Sequence, residues 1–444
     1  MIYIPKKRYT DIEYNEEFAR TINQVIIIND DISTNVADLF SVWNQKCQVL
    51  ISSCLSDFYE FLNSKKFNIN HNYLIIGAKN TPHETILDYK SLMEFMIYYK
   101  KEYKYLHKYI VQLGRKEKKS KDNKLIKEEL NYFYNLNESG KLLRAVLISM
   151  GYKMFNTLED NKYLDLALAY EIFETAILVH DDIIDGATTR RGKDTIEEAF
   201  NKSLTKEEEA LTYKKERMLL SRNLALCMGD YGFFKAFKMV SNAYDKDIVN
   251  YFSKIMLDTV KGEILDTKYP FMAKYLDKKT TLNDVLEIYK NKTSMYSVVG
   301  PFNLGLMANN APKAFITRMT KAMEGMGIAF QIKDDILGIF SDSMKTGKTA
   351  SDIMEFKQTL LYYYVSRTDY KDEFMSLYGN KLKQSDFERL KEILIESKAY
   401  DKTIKEASKY LDESKEMINK IRLIPKYYKE VLNGLILYMD MRDR

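Results

Sequence analysis

The sequence predicts an all-α protein, and three observations support that class. Glycine and proline are scarce, with 17 and 6 among 444 residues, and no proline falls between Pro82 and Pro270. From about residue 86, apolar residues recur at intervals of three and four, as in LMEFMIYY and KYLHKYIVQL, which is the spacing of one helix face. So long a stretch without helix breakers argues against a sandwich or barrel of many turns.

The composition excludes several other classes. A chain that is 45% hydrophobic and 13% aromatic is too apolar to be disordered. The net charge of +5 does not indicate a nucleic-acid partner. No apolar run approaches the roughly 18 residues of a membrane span, and the N-terminus lacks the apolar core of a signal peptide. The three cysteines, Cys47, Cys54 and Cys227, indicate reduced thiols and a cytoplasmic location.

Two stretches of the first third of the chain are less informative. Residues 1–85 mix short apolar runs, VIII at 25–28 and YLIIG at 73–77, with helical-looking segments. Residues 115–127 carry seven lysines and arginines against two acids. We interpret the basic stretch as a solvated linker, because no apolar face accompanies the charges. A basic patch for a membrane surface is the alternative, so any membrane association is expected to be at most peripheral.

The first segment with clear chemistry is EIFETAILVHDDIIDGATTRRGKDT, residues 171–195. On a helix, Glu174, Asp181 and Asp185 lie within about 40° of one another. Carboxylates so close repel unless a cation lies between them, and Mg²⁺ often bridges such carboxylates to substrate phosphates. Arg190 and Arg191 follow as paired donors for phosphate oxygens. The alternative is an exposed acidic helix end followed by a basic loop.

The second segment, residues 327–353, repeats this arrangement. Asp334 and Asp335 are followed by Lys348 and, just beyond the segment, by Lys357, while Gln331 shares a helix face with Asp335. Asp181 and Asp334 are 334 − 181 = 153 residues apart, enough to lie on two helices that face each other across a cavity. Two acidic sites, each followed in the sequence by basic residues, predict a pocket where metal ions hold a polyanion.

Two shorter strings fit the same pocket. NESGKLLRA places Lys141 and Arg144 on one face at a helix start, where free backbone amides and cations form an anion site. IYKNKTSMYSVVGPFNLG carries Lys292 and Thr293 beside an apolar run. Taken singly, each is typical of an ordinary helix surface.

Together these strings resemble the trans-isoprenyl diphosphate synthases, the prenyltransferase family of short- and long-chain enzymes. GKLLRA, HDDIIDGATTRRGKDT, KGEILD, KTSMYSVVGP and FQIKDDILGIF…TGKTASDI occur in that family's order and approximate spacing. The resemblance implies an all-α, isoprenoid synthase-type helical bundle around a deep apolar cavity, usually as a homodimer. It covers roughly residues 86–444 and leaves residues 1–85 as an N-terminal extension of unclear role.

The resemblance implies a Mg²⁺-dependent enzyme, with three Mg²⁺ per active site, that condenses isopentenyl diphosphate head-to-tail with an allylic diphosphate. Carried over residue by residue, it implies that Asp181, Asp185 and Asp334 bind Mg²⁺, supported by Asp182 and Asp335. It implies that the allylic diphosphate is bound by Arg190, Lys292 and Lys348, helped by Lys357, and that isopentenyl diphosphate is bound by Lys141, Arg144 and Arg191. It also implies that Thr293 and Gln331 stabilise the allylic cation.

Product length depends on the wall below the first Asp motif. Aromatic residues four and five before Asp181 would stop a growing chain near fifteen carbons in this family, but Ile177 and Ala176 stand there. We therefore expect a product of C20 or longer, unless residues elsewhere, including Phe173, close the tunnel.

Two departures from the family pattern keep other functions open. Glu174 stands where His or Gln usually donates to isopentenyl diphosphate, and Gly338 replaces the last Asp of the second motif. A non-catalytic regulatory subunit of a heteromeric synthase is therefore one alternative, and a class I terpene cyclase is another. The DD and GK…D pattern of the second motif argues against the cyclase.

Overall fold

The computed structural model describes residues 2–3, 22, 24–28, 48–52, 54–77, 83–119, 123–155, 160–190, 192–204, 212–340, 351–380 and 382–441. These residues form two compact units. The first contains the described residues up to Lys101 together with those from Ile418 onward, and the second contains those from Glu102 to Met417.

The first unit contains a four-stranded parallel sheet. Its strands are β1 (Ile2–Tyr3), β2 (Gln24–Ile28), β3 (Gln48–Ser52) and β4 (Tyr73–Gly77), in the order β1-β4-β2-β3. Val25 pairs with Val49 on one side and with Leu74 on the other. All of β2 is buried, as expected of a parallel strand covered on both faces. The apolar runs at 25–28 and 73–77 are therefore strands, which the sequence analysis did not predict.

Helices complete the first unit. They are α1 (Leu55–Asn63), the part of α2 (His83–Lys118) up to Lys101, and α17 (Lys426–Asp440). Helix α17 lies so close to α2 that a Cβ on Gly434 would approach the Ser91 carbonyl oxygen to 1.9 Å. Lys90 and Glu430 form an ion pair of 2.8 Å across the same two helices. The boundary predicted after residue 85 falls near the beginning of α2 and stays a prediction.

The second unit is helical apart from one short hairpin among its described residues. Its elements, in chain order after the rest of α2, are α3 (Lys124–Glu138), α4 (Leu143–Lys153), α5 (Leu164–Ile184), β5 (Thr189–Arg190), β6 (Lys193–Asp194), α6 (Ile196–Leu204), α7 (Lys214–Ala243), α8 (Lys246–Tyr275), α9 (Leu282–Ile288), a π-helix (Tyr289–Val299), α10 (Gly300–Ala308), α11 (Lys313–Phe340), α12 (Ser351–Met354), α13 (Leu360–Val365), α14 (Lys371–Leu377), α15 (Gln384–Glu396) and the part of α16 (Ala399–Lys420) up to Met417.

Helix α5 is the central element of this unit. Almost all of it is buried, including the polar residues Glu171, Glu174 and Asp182. A helix that is apolar on every side is one surrounded by others, and α5 lies against α4 and α7. The buried carboxyl groups therefore need charged or hydrogen-bonding partners from these neighbours.

Two glycines bring α4 and α10 together. A Cβ on Gly151 would lie 2.2 Å from the Phe302 carbonyl oxygen, and one on Gly305 would lie 2.1 Å from the Ile148 carbonyl oxygen. Neither position can carry a larger side chain without moving a backbone. This close packing fixes α10 and the π-helix that precedes it against the start of α4.

The π-helix is unusual because it runs over eleven residues, Tyr289–Val299. Its wider turn is rare and is frequently found at functional sites. Here it carries Lys292 and Thr293, two of the predicted site residues, together with Tyr296 and Ser297.

Candidate active site

The C-terminal end of α5 carries the first acidic cluster. The hairpin of β5 and β6 folds back over this end, with Gly192 in a left-handed conformation (φ 73°) at its turn. Arg190 Nη2 thereby lies 2.8 Å from Asp181 Oδ2, and Arg190 Nε lies 2.5 Å from Asp182 Oδ1. This is the forked geometry with which a guanidinium binds two oxygens at once.

The neighbours of the three aspartates give them different pKa values. Burial raises the pKa of Asp182 to about 6, although Arg190 opposes the shift. Burial acts on Asp181 too, but Lys292 and Arg190 outweigh it and hold the pKa of Asp181 below its usual range. Burial and the charge of Asp181 together raise the pKa of Asp185. Burial thus favours the protonated forms of Asp182 and Asp185, while the neighbouring cations keep Asp181 ionised.

Two lysines from distant parts of the chain meet on one carboxylate of α8. Lys292 Nζ lies 2.7 Å from Asp266 Oδ2, and Lys357 Nζ lies 2.8 Å from the same oxygen. Despite burial, these two cations lower the pKa of Asp266 to about 2. Lys292 also lies 2.9 Å from Glu263 Oε2, one turn earlier on α8.

The same lysines connect this carboxylate to the first acidic cluster. Lys292 Nζ is 3.6 Å from Asp181 Oδ1, and Lys357 Nζ is 3.5 Å from Asp185 Oδ1. Lys357 also pairs with Glu355 at 3.2 Å. Burial raises the pKa of Glu355 to about 8, although Lys357 opposes the shift. The stretch just beyond the second predicted segment therefore meets the acidic end of α5.

A chain of hydrogen bonds joins the π-helix to the second Asp motif. The Thr293 hydroxyl donates to Gln331 Oε1, and Gln331 Nε2 donates to Asp335 Oδ1 at 2.7 Å. The Tyr289 hydroxyl donates to Asp335 Oδ2 and accepts from the Leu360 backbone N–H at 2.9 Å. Asp335 is buried and both its oxygens accept hydrogen bonds, so it orients Gln331 and Tyr289.

Arg144, at the start of α4, is surrounded on three sides. Its Nη1 lies 2.8 Å from Glu174 Oε1, and its Nη2 donates to Ser297 Oγ at 2.8 Å. The guanidinium stacks over the Tyr296 ring, 4.3 Å from the ring centroid. Glu174, the residue that departs from the family pattern, is thus paired with a predicted substrate-binding arginine.

The backbone beside Arg144 is strained. Leu142, which is fully buried, has a φ of 55°, a conformation that costs a branched side chain about 1–3 kcal/mol and is concentrated at functional sites. It lies between Lys141 and Arg144 and sets the direction in which the chain enters α4.

The predicted product-length residues lie on α5 and are buried. The Phe173 ring is surrounded by the rings of Tyr170, Phe233, Phe252 and Tyr296, with centroid distances of 5.6–5.8 Å. Ala176 faces α7, where a Cβ on Gly232 would approach it to 2.8 Å. Ile177 is 7% exposed.

Four further residues were predicted to belong to the site: Asp334, Lys141, Arg191 and Lys348. Asp334 lies on α11 and is partly exposed, and Lys141 is exposed before α4. Arg191 and Lys348 lie outside the described residues.

The donor set at the end of α5 fits a hard divalent cation. Its groups are carboxylate oxygens, which Mg²⁺ prefers, and Asp182 Oδ2 is buried with no hydrogen-bond partner among the described residues. Within that part of the chain no three acidic, His or Cys side chains form a ready metal cluster. Instead, the side chains of Arg190, Lys292 and Lys357 contact these carboxylates.

Several residues of this site were not assigned by the sequence analysis. Glu263 and Asp266 stand in the quoted string KGEILD, so the signal existed, but no role was attached to them. Tyr289 and Ser297 likewise stand in the quoted string IYKNKTSMYSVVGPFNLG without an assigned role. Glu355 stands in none of the quoted strings, and it acquires its partner only through tertiary packing.

Comparison with known proteins agrees with this architecture. Among solved structures, geranylgeranyl pyrophosphate synthase from Corynebacterium glutamicum, complexed with isoprenyl diphosphate and magnesium, superposes with a TM-score of 0.68 at 19% identity, over 77% of this chain and 98% of that chain. The helical unit therefore has the all-α isoprenoid synthase fold, and the predicted fold class is confirmed.

The sequence relatives point to the same class. The geranylfarnesyl diphosphate synthase of Aeropyrum pernix is 25% identical over 69% of this chain and 92% of its own. The geranylgeranyl diphosphate synthase of Saccharolobus solfataricus is 29% identical over 70% and 89%. Component 2 of the heptaprenyl diphosphate synthase of Geobacillus stearothermophilus is 24% identical over 69% and 88%.

The model of the polyprenyl synthetase family matches residues 124–394. The chain belongs to this family of trans-prenyltransferases, which confirms the resemblance stated from the motifs. Among the described residues, none of the helices has the length and hydropathy that crossing a bilayer requires.

Proposed function

We propose that this protein is a Mg²⁺-dependent prenyltransferase that condenses isopentenyl diphosphate head-to-tail with an allylic diphosphate. The observation that carries the proposal is the meeting of Lys292 and Lys357 with the acidic end of α5. Carboxylates and cations alternate there, so a diphosphate could take the cations while divalent metal takes the carboxylates.

The protein's own residues would bind and orient the leaving group. Arg190, Lys292 and Lys357, now paired with aspartates, have donors of the kind that hold diphosphate oxygens as the carbon–oxygen bond breaks. Lys348 is expected to join them. When bound, Mg²⁺ would neutralise charge on the departing diphosphate, and Asp181, Asp185 and Asp334 would hold it, with Asp182 and Asp335 in support. Three such ions per site remain part of the proposal.

The second substrate would lie beside the first. Lys141, Arg144 and Arg191 are the proposed partners of the isopentenyl diphosphate, which brings its alkene next to the allylic carbon. The Thr293 hydroxyl oxygen and the Gln331 amide would stabilise the developing cation, held in place by their bond to each other and by Asp335. The departing diphosphate accepts the proton, so no side-chain base is required.

The product is proposed to be C20 or longer. Ile177 and Ala176 leave the wall below Asp181 without an aromatic ring, and Phe173 with its ring cluster forms the next layer. The cluster is the proposed floor of the cavity, about 12 Å along α5 from Asp181 at 1.5 Å per residue.

A homodimer is part of the proposal. Helices α7 and α8 leave large apolar side chains uncovered, which is typical of an interface: Phe234 at 76% exposure, Leu257 at 63%, Ile264 at 56% and Phe271 at 57%. The proposed occupant of this face is a second copy of the chain. Light scattering after size exclusion should give twice the chain mass, and Phe234→Lys should halve it, whereas Leu423→Lys, at an exposed leucine elsewhere, should not.

The remaining parts of the proposal concern organisation and location. Residues 86–444 are proposed to form the isoprenyl diphosphate synthase domain, and residues 1–85 an N-terminal extension to which no role is assigned. A cytoplasmic location fits Cys54 and Cys227, neither of which forms a disulfide bond within the described part of the chain.

A second candidate is a non-catalytic subunit of a heteromeric synthase. The likeness to a heptaprenyl diphosphate synthase component and the pairing of Arg144 with Glu174 favour it. Purified protein incubated with labelled isopentenyl diphosphate, each allylic primer in turn and Mg²⁺ distinguishes the two. Elongated allylic diphosphates support catalysis, binding without turnover supports the subunit, and cyclic hydrocarbon from the primer alone would indicate a cyclase.

A further inference from the structure

Glu174 holds the arginine that, on the proposed function, should bind isopentenyl diphosphate. The pair is nearly enclosed, since the side chains of Arg144 and Glu174 are only 17% and 7% exposed. An ion pair in such surroundings is only weakly screened by solvent. An incoming diphosphate therefore meets a guanidinium whose charge is already compensated.

The other contacts of Arg144 keep it in this position. Ser297 accepts from its Nη2 and the Tyr296 ring lies under its plane. Its Nε is buried with no acceptor among the described residues. The guanidinium thus keeps an unused donor for an anion, next to a carboxylate that repels that anion.

Glu171 adds a second acid to this position. It lies one turn before Glu174, shares a hydrogen bond with it, and accepts from the Ala145 backbone N–H at 2.8 Å. Glu171 therefore helps to hold the Glu174 carboxylate in place beside Arg144, and Glu174 is the acid that pairs with the guanidinium.

We propose that Glu174 competes with the diphosphate of isopentenyl diphosphate for Arg144 and thereby sets the affinity of that site alone. Glu174 is a specificity-determining residue in this account, because the allylic diphosphate would be held by other cations. The inference rests on the proposed function, since that function assigns Arg144 to isopentenyl diphosphate.

The test compares Glu174→Gln with the wild-type chain by calorimetric titration of isopentenyl diphosphate and by steady-state kinetics. We expect binding of isopentenyl diphosphate to tighten about tenfold, the size of effect that one nearby charge can have in a partly buried site. The KM for the allylic primer and the kcat should change less than twofold. A purely structural role would not separate the two KM values in this way.

Two further variants serve as the control and as the alternative to Glu174→Gln. Asp165→Asn removes the same charge from the exposed first turn of α5 and should leave both KM values unchanged. Glu174→Met removes the carboxylate without adding an amide, and should also tighten binding if Glu174→Gln does not fold.

The outcomes separate the inference from the proposed function. If wild-type protein binds isopentenyl diphosphate and the folded Glu174 variants bind it no tighter, the inference is overturned and the function stands. If wild-type protein neither binds isopentenyl diphosphate nor elongates any primer, both fail.

Discussion

Lys292 Nζ lies 2.7 Å from Asp266 Oδ2, where the π-helix meets α8. Lys357 reaches the same oxygen from a part of the chain 65 residues further along (357 − 292). One carboxylate, only 13% exposed, therefore holds two of the cations that the proposed reaction needs for its diphosphate.

Replacing Asp266 should destabilise the protein in the absence of ligand. Asp266→Asn leaves two lysines without their shared carboxylate, and breaking a buried ion pair on one side costs about 3–5 kcal/mol. We expect a lower melting temperature that inorganic pyrophosphate with Mg²⁺ restores in part, because the anion replaces the missing charge.

Asp258→Asn is the matched control on the same helix. Asp258 pairs with Lys261 at 3.2 Å, and that lysine is 67% exposed, so its loss should cost less than about 1 kcal/mol. Equal melting temperatures for the two variants would contradict the role given to Asp266.

Shortening Phe173 should lengthen the product. Phe173→Ala opens the ring cluster formed with Tyr170, Phe252 and Tyr296 and leaves room for at least one more isoprene unit. Chromatography of the dephosphorylated products measures the shift. The cavity also costs about 3–5 kcal/mol of stability, so folding is checked by circular dichroism.

A substitution that fills the cavity instead of enlarging it supplies the control for product length. Ile177→Phe places a ring four residues before Asp181 and should shorten the product. If neither variant changes the product distribution, the cavity floor lies elsewhere.

Glu171 should make stability depend on pH. Burial, and then the charge of Glu174, raise its pKa well above 4.5, so the folded protein holds a proton that the unfolded chain releases. The free energy of unfolding therefore falls as pH rises above about 4.5 and levels off once the folded-state pKa is passed. Below pH 4.5 both states are protonated and the penalty disappears.

Glu171→Gln mimics the protonated acid and should remove this penalty. We expect its melting temperature to exceed that of the wild type at pH 8 and to match it near pH 4.5. Glu128→Gln, on the exposed side of α3, serves as the control and should follow the wild type at both pH values. A pH-independent difference for Glu171→Gln would contradict the account.

The sequence predicted the helical fold and the acidic end of α5 because those signals are local. Periodic apolar residues define helices, and Asp181 and Asp185 share a face by their spacing alone. The family motifs then identified Lys292 and Arg190, which contact the predicted aspartates.

The rest depends on contacts that no local pattern encodes. Asp266 owes its position to two lysines that meet only in the folded chain, and Glu355 to the path of the chain after α12. The parallel sheet of the first unit was missed because short apolar runs fit a buried strand or a helix segment equally well.

The central claim is that the acidic end of α5 binds the metal that lets diphosphate leave, and Asp181→Ala tests it most directly. The measurement is the kcat for incorporation of labelled isopentenyl diphosphate into each allylic primer with Mg²⁺, beside Asp334→Ala and the control Asp165→Ala. The account predicts a loss of about a thousandfold or more for both site variants, with the control unchanged. Near-normal turnover in Asp181→Ala and Asp334→Ala would contradict it.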